Sequence, residues 1–144
     1  MSSAILLRRK QLIGVLASAL MLLLVSPAES QKVRSDEEIA PIVVLEQIAI
    51  DDGIVQGQVR NKSDHAVREL QLFMRYTWLW DDERHPGKTD PGTSTYYTLP
   101  DTLQPNSTVK FVYKPSPPLP KIAGGRFVTS VKIAGFTEII PQKR

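Results

Sequence analysis

Alternating apolar and polar residues dominate the chain from Pro41 onward, in short runs separated by turn sequences. A period of two residues is typical of half-buried β-strands, because successive side chains point to opposite faces of a sheet. The runs predict strands at residues 42–50, 54–60, 67–80, 94–99, 108–114, 127–133 and 136–139, the last two being alternatively one strand bent at Gly135. No helical period follows residue 30, so we expect an all-β domain.

The longest predicted strand carries a continuous apolar face. Its members are Leu70, Leu72, Met74, Tyr76, Trp78 and Trp80. The same alternation directs Val55 and Val59 of the second strand, and Val109, Phe111 and Tyr113 of the fifth, toward a core. About seven short strands in this length predict a single immunoglobulin-like antiparallel β-sandwich over residues 41–140.

The residues before this domain have the layout of a secretory signal. Three basic residues at 8–10 precede an apolar run at 12–25, and small residues allow a cut after Ala28 or after Ser30. An uncleaved anchor is the alternative, but the run is shorter than the roughly 20 residues that span a bilayer. We therefore predict a signal-peptide helix at 1–30, a flexible leader at 31–40, a tail at 141–144 and no membrane anchor after cleavage.

The absence of cysteine narrows the class of exported protein. It excludes disulfides, a thiol nucleophile and a lipid attached at the cleavage site. Small secreted domains of eukaryotes commonly rely on disulfides, so an exported chain without them is more typical of a bacterial envelope. We expect a periplasmic or secreted location.

Charge gives no support for nucleic-acid binding. The sequence pI of about 9.3 is misleading, because residues 1–30 hold three of the 18 basic residues and one of the 15 acidic residues. The remaining chain has 15 positive and 14 negative side chains, with the two signs interspersed. Such a domain offers no basic stripe for phosphates.

Candidate catalytic chemistry is sparse. His85 lies in the acidic loop 81–92, where a histidine beside carboxylates is either a general base, a metal ligand or a solvated side chain. Oxygen donors from Asp81, Asp82, Glu83 and Asp90 would suit calcium, but their spacing differs from an EF-hand. His65 is predicted in a solvated turn. We favour solvated loops, and hence no enzyme, no metal and no cofactor.

Turn chemistry accounts for three other polar or small residues. Gly57 allows a bulge or the close approach of a facing side chain. Asn61 and Asp81 are expected to hydrogen-bond their own downstream backbone at the ends of strands.

Aromatic side chains are the stronger binding signal. Tyr96 and Tyr97 are adjacent in one strand, so only one of them can point into the core and the other must be exposed. Tyrosine and tryptophan combine an apolar body with a polar tip, which suits a binding surface. The candidate binding residues are Tyr96, Tyr97, Trp80, Asp81 and His85.

Three segments resemble the FxLYD family, small immunoglobulin-like domains of prokaryotic envelope proteins. Residues 57–63 (GQVRNKS) are similar to its G-x-V-x-N turn, and residues 103–106 (LQPN), before Phe111, to its L-x-P-G turn. Residues 79–81 (LWD) resemble the L-Y-D of the name, with Trp80 at the tyrosine position and Thr77 at the phenylalanine position. The resemblance implies the fold and an adhesion or accessory role, and it implies no active site.

Two functions remain open from the sequence. The first is a non-catalytic accessory domain that docks an envelope protein through a sheet edge or the hairpin at 76–97. The alternative is a module for a small ligand or carbohydrate, using the exposed aromatic residues and the acidic 81–92 loop.

Overall fold

The computed structural model describes residues 34–142. Its elements, in chain order, are α1 (Asp36–Ile39), β1 (Val43–Asp51), β2 (Ile54–Asn61), β3 (Ala66–Trp80), β4 (Thr93–Thr98), β5 (Thr108–Tyr113) and β6 (Gly125–Ile139). The predicted signal-peptide helix lies outside the described residues. Within residues 34–142, no helix has the length and apolar character needed to cross a bilayer.

The strands form two antiparallel sheets, ordered β1-β2-β5 and β4-β3-β6. Buried side chains of both sheets share one apolar core, so the prediction of an all-β sandwich is confirmed. The described residues hold six strands and not about seven, because the segments predicted at 127–133 and 136–139 are the single strand β6. β6 continues through Gly135 with a register shift against β3.

β3 is the central strand of its sheet and supplies more buried core residues than any other strand. Its predicted inward face is confirmed, with Leu70, Leu72, Met74, Tyr76 and Trp78 buried and Trp80 half-buried. Val55 and Val59 of β2 and Phe111 of β5 are buried opposite them, also as predicted. Full burial of such a side chain stabilises the fold by about 1.5–3 kcal/mol.

A two-residue loop joins β1 to β2. Asp52 and Gly53 have φ values of 47° and 78°, the pair of positive angles that matches the twist of a hairpin. Gly53 is required for a second reason, because a Cβ there would lie 2.6 Å from Cδ1 of Leu119. The hairpin turn predicted at residues 51–53 is confirmed.

Two bulges interrupt the strand alternation, and the sequence pattern predicts neither of them. In β1, Gln47 has a φ of 52° and the register against β2 shifts between Glu46 and Ala49. Ile48 of this bulge lies against Gly57, where a Cβ would be 2.5 Å from Cδ1 of Ile48. The close approach predicted at Gly57 is confirmed.

The second bulge lies in β3 at Glu69, also with a φ of 52°. It places both Val67 and Leu70 in the core although they are three residues apart. Val67 in turn exchanges two backbone hydrogen bonds with Leu103, at 2.8 and 2.7 Å. These two hydrogen bonds join the start of β3 to the turn before β5.

Residues 36–39 form a helical turn inside the segment predicted as a flexible leader, so that prediction needs correction. Ser35 Oγ accepts a hydrogen bond from the Glu38 amide, and the Ser35 amide donates to the Glu38 carboxylate, which is a capping box. Ile39 is only 6% exposed and belongs to the core. The guanidinium of Arg34 pairs with Glu138 of β6.

Candidate functional site

The sandwich has four edge strands, and three of them carry features that discourage pairing with another chain. β1 contains the bulge at Gln47. β5 presents the exposed Lys110, and exposed Lys114 and the proline-rich residues 115–120 follow it directly. β6 contains Lys132 and is flanked by residues 34–40. Bulges, lysines, prolines and covering segments are the usual protection of exposed edges.

β4 lacks all of these features. Its sequence, TSTYYT, contains no charge and no proline, and it pairs with β3 in unbroken register. β3 is its only partner strand among residues 34–142, so the opposite edge of β4 keeps its backbone groups free of strand pairing. Such an edge is a template for another extended chain.

A groove of about 400 Å³ lies beside this edge. Its walls are residues 93–95 of β4, Tyr76, Tyr113 and residues 115–120. Four of the six residues at 115–120 are prolines, which have no amide hydrogen and cannot donate backbone hydrogen bonds to a neighbour. The groove therefore has an apolar wall next to the free edge of β4, whose backbone groups can still form hydrogen bonds.

Tyr76 forms the floor of this region. Its hydroxyl donates a 2.7 Å hydrogen bond to the carbonyl of Gly53, which ties β3 to the β1–β2 hairpin. Burial, with a smaller contribution from the neighbouring Tyr113, raises the pKa of Tyr76 to about 12. The phenol therefore stays neutral near pH 7 and acts as a structural donor.

The two adjacent tyrosines of β4 face opposite ways, as predicted. Tyr97 packs on the core, with its ring centroid 5.4 Å from that of Tyr113 in the other sheet. Tyr96 is 60% exposed and lies 5.0 Å, centroid to centroid, from Phe73. The exposed aromatic residue is thus Tyr96.

The solvent side of the β4-β3-β6 sheet carries this tyrosine among cations. We call the surface formed by Phe73, Arg75, Tyr96, Arg126 and Lys132 the outer face. The register aligns Tyr96, Phe73 and Lys132 in one row across the strands. Sequence reasoning did not single out the three cations, although their alternation with buried residues in β3 and β6 would have placed them together.

Trp80 is not an open aromatic platform. A Cβ at Gly87 would lie 2.2 Å from Cη2 of the Trp80 ring, so the 81–92 loop lies directly on that ring. Trp78 packs against it edge to face, with centroids 5.5 Å apart. Trp80 therefore anchors the loop that follows β3.

The loop itself holds Asp81, Asp82 and His85, all exposed. The turn interaction predicted for the Asp81 side chain is made by Asp82 instead, which accepts from the Arg84 amide at 3.0 Å. The His85 ring lies 2.8 Å from the other carboxylate oxygen of Asp82. These two hydrogen bonds, the one with His85 first, lower the pKa of Asp82.

Asn61 is the buried polar side chain of the core. Its amide nitrogen donates to the carbonyls of His65, Leu103 and Gln104. Its oxygen accepts from the amide and hydroxyl of Ser63. The local turn role predicted for Asn61 is confirmed, and the contacts to residues 103 and 104 extend it to a second turn.

Within the described part of the chain, no three His, Asp or Glu side chains are close enough together to hold a metal ion. His65 lies beside Asp64, with Nδ1 2.9 Å from the carboxylate. The chain matches no family model, no curated protein and no solved structure. The resemblance to FxLYD domains therefore stays a prediction.

Proposed function

We propose that the chain is an exported, non-catalytic interaction domain of the bacterial envelope that binds a protein partner by strand addition along β4. The observation that carries this proposal is the unprotected edge of β4, beside three edges that are protected. In strand addition, backbone hydrogen bonds give affinity and neighbouring pockets select side chains. The bound segment is an extended chain whose apolar side chains enter the groove beside residues 115–120.

An immunoglobulin-like fold of the FxLYD type is part of this proposal. It is supported by the strand order, since β1-β2-β5 facing β4-β3-β6 corresponds to strands A-B-E facing C′-C-F of immunoglobulin domains. In this correspondence β4 takes the place of C′. Immunoglobulin-like domains use such sandwiches chiefly as scaffolds for recognition, which agrees with an accessory role.

Site-specific photo-crosslinking in cells that produce the full-length chain tests the proposal. A benzoyl-phenylalanine replaces Tyr96 in one variant and Val112 in another, because both side chains are 60% exposed but lie on different sheets. We expect a discrete protein adduct from position 96 and none from position 112. Mass spectrometry of the adduct then identifies the cross-linked segment of the partner.

A second substitution asks whether the backbone edge is used. Thr98→Lys adds the usual edge protection to β4, and Thr108→Lys makes the same change on β5; both residues are exposed. We expect Thr98→Lys to abolish the adduct at position 96 and Thr108→Lys to leave it intact. Equal labelling at positions 96 and 112, or an adduct that survives Thr98→Lys in a folded chain, would refute docking at β4.

A further inference from the structure

The outer face concentrates positive charge that the rest of the domain does not show. Arg75, Arg126 and Lys132 are exposed on it, and the remaining outward positions of β3, β4 and β6 beside them are uncharged. None of the three cations has a carboxylate partner among residues 34–142. The three cations contribute +3 to the outer face, although the chain after residue 30 is almost neutral.

Carboxylates near the margins of this face are already engaged. Glu138 pairs with Arg34, and Glu69 accepts a hydrogen bond from Thr137. Asp90 lines the same hollow of about 270 Å³ as Arg75, but its carboxylate accepts from the Gly92 amide at 2.8 Å. Within residues 34–142, none of these three carboxylates forms an ion pair with a cation of the outer face, although Glu69 and Asp90 keep their negative charge beside it.

The opposite sheet provides an internal comparison. On its solvent side Arg60 lies 3.7 Å from Glu46, and the amide of Gln58 donates to Gln47 at 3.1 Å. Two pairs of polar groups on that sheet thus contact each other, and Lys110 of β5 is exposed beside them. The outer face instead combines two aromatic rings with cations that have no carboxylate partner among residues 34–142. It is therefore the better candidate for a ligand-binding surface.

The cations are widely spaced along the strands. Six residues separate Arg126 from Lys132 in β6, which is about 20 Å at the usual rise of a strand. Arg75 of β3 lies between them, opposite Ser130. At the Lys132 end, the ammonium group is 5.8 Å from the centroid of Phe73, and Tyr96 packs on the other side of that ring.

We propose that the outer face binds an acidic polysaccharide lying along the strands. Its carboxylates pair with Arg75, Arg126 and Lys132, since guanidinium and ammonium groups form strong charge-assisted hydrogen bonds with carboxylates. A sugar ring packs on Tyr96, whose body is apolar and whose hydroxyl reaches water. An open sheet face receives a polymer more readily than a closed pocket does.

The outer face carries three cations over about 20 Å and one exposed aromatic ring, that of Tyr96. Nucleic-acid sites neutralise several phosphates and stack successive bases on several aromatic side chains. Few cations around a single ring therefore favour an acidic glycan, and binding of a nucleic acid is the competing outcome of the test.

Fluorescence anisotropy with labelled polygalacturonate tests this proposal on the chain expressed at full length and purified. Arg75→Gln combined with Lys132→Gln removes two cations from the outer face. Lys110→Gln combined with Lys114→Gln removes the same charge from β5 and the residue that follows it. We expect the first pair to raise the apparent Kd about tenfold, and the second pair to change it less than about twofold.

The chemistry of the probe provides two more results. Fully methyl-esterified polygalacturonate keeps the sugar rings but has no charge, and we expect it not to bind. Tyr96→Ala should weaken binding of the acidic form without changing its dependence on salt, because it removes a ring and no charge. Equal losses in the two lysine- and arginine-depleted variants, retained binding of the ester, or tighter binding of oligothymidylate would each overturn the proposal. A negative result in these binding experiments leaves the cross-linking test of β4 unaffected.

Discussion

Replacement of Asn61 provides the sharpest test of how the turns are held together. Asn61 is fully buried, and its amide nitrogen donates to the carbonyls of His65, Leu103 and Gln104 at 2.7, 3.2 and 3.2 Å. Its oxygen accepts two hydrogen bonds from Ser63, at 3.0 and 2.7 Å. Asn61→Ala removes all of these at once.

The expected loss follows from these contacts. An amide NH₂ group and a carbonyl oxygen together support four hydrogen bonds, each with a net value of about 1 kcal/mol. The three carbonyl acceptors each keep a second donor, from the Ser63 hydroxyl, the Val67 amide and Ser107. The penalty of unpaired acceptors is therefore reduced, and we expect Asn61→Ala to lower the free energy of unfolding by about 3 kcal/mol.

Asn61→Asp separates hydrogen bonding from loss of volume. It keeps the shape but turns an oxygen without a proton toward three carbonyl oxygens. Burial raises the pKa of this carboxyl in the folded state above its unfolded value. Folding then favours the protonated form, so the stability of the Asp variant is highest below its unfolded pKa and falls as pH rises through the folded pKa. We expect it to be less stable than the Ala variant at pH 7 and to recover at pH 4.

Urea unfolding followed by tryptophan fluorescence measures both variants. With m between about 1 and 3 kcal/mol/M, the Ala variant should show a midpoint roughly 1–3 M lower than the parent chain. Gln104→Ala is the matched control, because its amide side chain is exposed and makes no hydrogen bond to another residue of 34–142, and its effect should be within about 0.5 kcal/mol. A loss below about 1 kcal/mol in Asn61→Ala, or an Asp variant insensitive to pH, would refute the reasoning.

Three further predictions concern Tyr76 of β3 and two residues of the 81–92 loop, Gly87 and His85. Gly87→Ala should displace the Trp80 ring, lowering stability by about 1–3 kcal/mol and shifting tryptophan emission. Tyr76→Phe should cost about 1–2 kcal/mol near pH 7. Because the pKa of Tyr76 is raised to about 12, the parent loses stability as pH rises from about 10 toward 12, and the Phe variant should lack that loss. His85→Ala should raise the pKa of Asp82 toward its ordinary value in an NMR titration, with the unfolding midpoint unchanged.

Each of these has a clear contrary result. Unchanged emission and stability in Gly87→Ala would mean that the loop does not rest on Trp80. An alkaline stability profile of Tyr76→Phe that parallels the parent would assign the loss to other groups. An Asp82 titration unaffected by His85→Ala would remove the histidine as the main cause of the lowered pKa.

Local patterns in the sequence predicted what depends on neighbours along the chain. The alternation in β3 predicted its buried face, and the Asp-Gly pair predicted the hairpin of β1 and β2. The adjacency of Tyr96 and Tyr97 required that one of the two rings be exposed. Each of these follows from backbone geometry within a few residues. The prediction of a flexible leader at 31–40 overlooked another local signal, because a serine followed three residues later by glutamate, as at Ser35 and Glu38, marks a helix start.

Features that depend on pairing between distant residues could not be read in this way. The bulges at Gln47 and Glu69 arise where partner strands fix the register, and no glycine marks them. The second turn bonded by Asn61 is more than forty residues away in sequence. The outer face exists only because β4, β3 and β6 are neighbours, an order that the one-dimensional pattern does not contain.

The pairing of β3 with β6 also constrains when the protein can fold. β1 and β2 are joined by a two-residue loop, so their hairpin closes as soon as residue 61 is free. In contrast, Trp80 pairs with Gly125 and Ala66 with Ile139, which are separated by 45 and 73 residues. Closing such long loops is slow, and no stabilising contacts between the paired strands form until the distant strand is in place. A ribosome that still holds residues 125–139 therefore keeps the core open, and the two sheets can pack against each other only once β6 is released.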